Sequence, residues 1–76
     1  MEMTNRSKVI SGLVYSFILS EPDRKWGAGA ISDLLHEKGF RVGVMRAEKI
    51  LFSLARKRAV TVTWGISSAP RFQAKV

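Results

Sequence analysis

The stretch VMRAEKILFSLARKRAVTVTW, residues 44–64, decides the fold, because the spacing of its apolar residues changes part-way along. Ala47, Ile50, Leu51 and Leu54 recur at three- and four-residue intervals, which puts them on one side of a helix. Beyond Arg58, Val60, Val62 and Trp64 alternate with Ala59, Thr61 and Thr63, and β-branched residues dominate. That is the pattern of a strand with one buried face. The residues from Gly65 to Pro70 have turn chemistry, after which Phe72, Ala74 and Val76 alternate with Arg71, Gln73 and Lys75. A helix over 44–57 therefore leads into a β-hairpin over 59–76.

Upstream of this stretch the signals are helical. Ile31, Leu34 and Leu35 share one face of a segment over 28–38, and Gly39 is placed as its left-handed stop. The space between Arg24 and Gly27 holds only a short extended piece carrying Trp26. Before it, Ile10, Leu13, Val14, Phe17 and Ile18 follow the helical period over 5–20, with Thr4 or Asn5 as N-cap. Pro22 disfavours helical geometry in the residue before it and ends this first helix near Ser20.

Seventy-six residues, 46% of them hydrophobic, make one domain over 1–76 with a single core. No cysteine is present, so disulfides and thiolate metal sites are excluded, and the lone His36 cannot build a histidine-based metal site. No cofactor motif is found: Gly27, Ala28 and Gly29 lack the Lys-Ser/Thr continuation of a phosphate-binding loop. No nucleophile is paired with a base, and Asp33 with Glu37 reads as a solvated helix face, so catalysis is not expected. The apolar run from Val9 to Leu19 follows Arg6 and Lys8, but Ser11, Gly12 and Ser16 interrupt it and no small-x-small site follows. It is also shorter than the roughly 20 residues of a membrane span. A cytoplasmic protein without a membrane partner is the expectation.

Charge narrows the partner. Thirteen Lys and Arg against six Asp and Glu give +7. Residues 1–37 hold four basic and five acidic side chains, whereas residues 38–76 hold nine basic and one acidic, a net of +8. A field of that sign attracts a polyanion, and the second half is where it would bind.

The order helix, short strand, helix, helix, strand, strand resembles the winged helix-turn-helix superfamily across nearly the whole chain. The resemblance implies an α+β fold of three helices, with helices two and three as the helix-turn-helix and the closing hairpin as the wing. The chain is also similar to small enterobacterial transcriptional activators of the CaiF/GrlA type, through Leu13 and Tyr15, Lys25 and Trp26, Ile31, and Arg46 and Ala47 followed by Ile50. That similarity implies a regulator of transcription bound to double-stranded DNA.

The residues of helix three carry the physical case. With Ala47, Ile50, Leu51 and Leu54 inward, Met45, Lys49 and Arg56 project from the opposite side, and Arg46 and Ser53 lie at one flank. The major groove of B-DNA admits an α-helix, and Arg or Lys donates to guanine O6 and N7 there. Arg46 and Lys49, in the half of the helix that enters the groove deepest, are the candidates for base contact. Arg41, ahead of the helix, suits a phosphate. Arg56 and Lys57 continue the positive edge, with Arg58 behind them, and Arg71, beside the hairpin tip, is placed to reach the backbone or minor groove.

Other readings of the same residues remain. Arg46 can pair with Glu48 or stay in water, and the triplet Arg56, Lys57 and Arg58 can be a solvated helix end. Trp26 and Trp64 read as core or hairpin-packing residues, against the alternative of stacking platforms for single strands. Phe52 falls away from the buried stripe and covers either a wing edge or a partner surface. Val9, Tyr15 and Leu19 widen the apolar arc of helix one, which means either broad burial or a homodimer contact. The rival functions are a winged-helix protein–protein interaction module and an RNA-binding accessory protein.

Overall fold

The computed structural model describes the backbone of residues 2–65 and 69–75 and the side chains of residues 8–65 and 69–75. It contains α1 (Glu2–Ser20), α2 (Ala28–Glu37), α3 (Val44–Arg56), β1 (Val60–Thr63) and β2 (Arg71–Ala74). Three helices followed by an antiparallel hairpin form the α+β arrangement expected of a winged helix. Of the turn from Gly65 to Pro70, residues 66–68 lie outside the described residues, as does Val76.

Element boundaries differ from expectation in small ways. Helix α1 begins at Glu2, so Thr4 and Asn5 sit inside its first turn instead of capping it. No Pro or Gly precedes them in the sequence to stop the helix. Lys38 and Lys57 are the C-caps of α2 and α3, each one residue past the helix. Among the described residues the two hairpin strands pair at Val60↔Ala74, Thr61↔Gln73, Val62↔Phe72 and Thr63↔Arg71, a narrower span than 59–76.

Both helix ends leading toward the wing close in the same way. After α2, the Gly39 N–H donates to the His36 carbonyl at 3.0 Å and the Phe40 N–H to the Leu35 carbonyl at 2.9 Å, with Gly39 at φ 91°. After α3, the Arg58 N–H donates to Ala55 at 3.0 Å and the Ala59 N–H to Leu54 at 2.9 Å, with Arg58 at φ 62°. This is the paired bonding of a Schellman stop, which glycine enters freely and a Cβ-bearing residue enters under strain. Arg58→Gly is therefore expected to raise stability by about 0.5–1 kcal/mol, a Tm gain of roughly 2–6 °C for a domain of this size. An unchanged or lower Tm in a thermal scan would show that the arginine side chain contributes more than its backbone strain removes.

The core joins all three helices and the hairpin. Ile10, Val14 and Ile18 of α1, Ile31 and Leu35 of α2, Ala47, Leu51 and Leu54 of α3, and Val60, Phe72 and Ala74 of the strands are buried together. Trp26 belongs to this core at 2% exposure. Its backbone forms an antiparallel bridge to Phe72, with the Trp26 N–H donating to Phe72 O at 2.6 Å and the Phe72 N–H to Trp26 O at 2.8 Å. The short extended piece between α1 and α2 thus adds a third strand-like edge to the hairpin. The Arg24 guanidinium lies 3.9 Å from the centre of the Trp26 ring, a cation–π contact that covers the indole from the solvent side.

Trp64 differs from this. Its ring stacks on Phe52 with centroids 5.5 Å apart, yet the residue remains 65% exposed, so it is no part of the core. Phe52 in turn meets Phe72 edge-on at 5.1 Å. Of the two readings of Phe52, the structure takes the wing edge. One buried polar group has no counterpart in the apolar pattern: Ser32 Oγ donates to the Val42 carbonyl at 2.6 Å. This bond ties α2 to the segment that aims α3.

Candidate nucleic-acid interface

Helix α3 turns Ala47, Leu51 and Leu54 into the core and leaves Met45, Arg46, Lys49 and Arg56 exposed. Its first turn follows Gly43, an extended residue with no side chain to cap the helix, and holds no acidic residue. Helix α2 starts in the same way at Gly27. Uncapped N-terminal N–H groups and the positive end of the macrodipole add to the field of the cations.

Arg46, Lys49 and Ser53 come together. With Ile10 and Ser11 of α1 and Ile50 of α3 they line a groove of about 300 Å³. The groove is apolar at its base, where Ile10 is buried, and offers two cations and two hydroxyls along its sides. Arg41 lies elsewhere: it shares a depression at the turn between α2 and α3 with His36, Gly39, Phe40 and Gly43. Arg56, the last residue of α3, and Lys57, its C-cap, are exposed at the other end of a helix about 20 Å long.

Arg71 is exposed at the first position of β2, opposite Thr63. Its side chain turns toward the helices, with Cδ, Nε and Cζ 3.8–3.9 Å from where a Cβ on Gly27 would stand. It therefore lies along the uncapped start of α2, giving that end a side-chain cation beside its backbone donors.

None of these cations is neutralised within the described residues. The ion pair found there joins Arg24 to Glu21 at 3.2 Å, at the end of α1. Glu48 makes no such pair with Arg46. Long basic side chains held apart from carboxylates keep their full charge available to an anion.

Sequence periodicity put Arg46 and Ser53 at one flank of the helix and Lys49 on the side opposite the buried stripe; that the three line one groove with Ser11 is a tertiary fact. The signal for Ser11 was present only as a polar break in the apolar run of the first helix. Comparison with known proteins finds no matching family model, no similar curated protein and no similar solved structure.

Proposed function

We propose that this chain is a DNA-binding regulator of transcription, without catalytic activity, that sets α3 into the major groove of duplex DNA and carries its hairpin as a wing. The observation that supports this reading is the set of cations on the exposed side of α3 that are unpaired among the described residues, in the half of the chain that holds +8. Arg46 and Lys49 donate to base edges or adjacent phosphates, with Ser53 beside them. Arg41, Arg56, Lys57 and Arg71 hold backbone phosphates around the helix.

The test is binding of a labelled duplex by the intact chain and by an Arg46→Ala/Lys49→Ala variant. Both positions are exposed and alanine favours the helix, so the fold persists. The variant is expected to bind roughly a hundredfold more weakly, at about 1.4 kcal/mol for each charge-assisted contact removed. Equal affinity of the two proteins would sink the groove-docked helix.

A second reading is favoured by a different observation: Met45 and Trp64 are 80% and 65% exposed. Large apolar side chains in water suit a protein-interaction module. That reading gains if the duplex does not bind at low salt.

A further inference from the structure

Met45 is the most exposed of the large apolar side chains among the described residues. It is the second residue of α3, on the side opposite Ala47, Leu51 and Leu54, one turn ahead of Lys49. Val44 beside it is 52% exposed. The neighbouring residues of the helix are basic: Arg46 follows Met45 and Lys49 lies one turn further on. Within α3, Glu48 is the single acidic residue, and it is half-buried.

An apolar point bordered by cations has a definite complement, a surface that is apolar at its centre and anionic at its rim. The major groove at an A·T pair has that form. Thymine places a C5-methyl group on the groove floor, between two walls of phosphates, and it is the apolar mark by which a protein tells thymine from the other bases. Methionine suits the contact because its unbranched, polarizable chain adapts to the position of a methyl group.

We propose that Met45 reads thymine, packing its thioether against C5-methyl groups in the major groove while Lys49 and Arg46 engage the anionic groups around it. This inference rests on the duplex-binding reading and adds to it a base preference that the cations alone do not supply.

The experiment compares an alternating A·T duplex with the same duplex made with deoxyuridine in place of thymidine. The substitution removes the C5-methyl groups and leaves every hydrogen-bonding edge in place. The intact chain is expected to bind the thymidine duplex more tightly, by about fourfold for each methyl group covered. Met45→Ala is expected to bind both duplexes alike, with the salt dependence of the parent protein. Equal binding of the two duplexes by the parent chain overturns the proposal, as does a Met45→Ala variant that keeps the full preference. In either case duplex binding itself stands, and Met45 passes to the protein-interaction reading. Failure of the parent chain to bind either duplex at low salt overturns the duplex reading, and the thymine contact with it.

Discussion

Raising the salt concentration from about 50 to about 200 mM is expected to weaken duplex binding roughly a thousandfold. The reasoning starts from Arg41, Arg46, Lys49, Arg56, Lys57 and Arg71, all exposed and none in an ion pair among the described residues. Each that meets a phosphate releases condensed counterions, and six such contacts give a slope of about −5 in log affinity against log salt. Because these side chains have no carboxylate partner among the described residues, no ion pair found there must break before binding. The Arg46→Ala/Lys49→Ala variant should flatten the slope to about −3.6, since four contacts remain. A titration series by anisotropy measures both slopes. A parent slope shallower than about −2 would mean that most of these cations stay in water and that the positive half of the chain serves solubility alone.

Phe72→Ala is expected to destabilise the domain by about 4 kcal/mol. For a chain of 76 residues the whole stability is of the order of 4–11 kcal/mol, so the variant stands near the edge of unfolding. Phe72 is fully buried, meets Phe52 edge-on at 5.1 Å and sits between two backbone partners, Val62 in β1 and Trp26 in the connection before α2. Truncation empties the point where the hairpin meets the helices, and the cavity can collapse little because α1, α3 and both strands surround the same core. Urea denaturation followed by far-UV circular dichroism measures the loss, and Phe72→Leu, which keeps most of the volume, should lose less than half as much. A Phe72→Ala cost below about 1 kcal/mol would show that the hairpin packs on the helices without needing this ring. The contrast with Met45 is instructive: truncation there removes no core contact, so its effect should appear in binding and leave the urea midpoint in place.

Much of the fold could be read before any coordinates. The three helices, the strand pair and the extended step at Trp26 all follow from spacing and turn residues. The Gly39 stop shows why: a left-handed backbone is a property of one residue and its neighbours, visible wherever glycine ends an apolar helix. Arg58 takes the same conformation without the glycine, and no sequence cue announced it. Trp64 packs at the hairpin end by stacking on Phe52 but stays out of the core, although it continues the alternation of Val60 and Val62. The strand ends at Thr63, so the alternation no longer governs which way the next side chain turns, and the ring lies over Phe52 in solvent.

The sequence by itself determined the elements, their order, the buried face of each helix and the concentration of positive charge in the second half. These depend on residues within a turn or two of one another, or on simple counting. Only the tertiary structure decided that Ser11 faces Arg46, Lys49 and Ser53 across a groove, that Ser32 holds the Val42 carbonyl, and that Arg71 lies along the start of α2 rather than out along the wing. Each of these joins residues from separate elements, ten to more than forty positions apart. Their meeting is set by how the apolar faces pack into one core, a global balance of burial that local spacing does not encode.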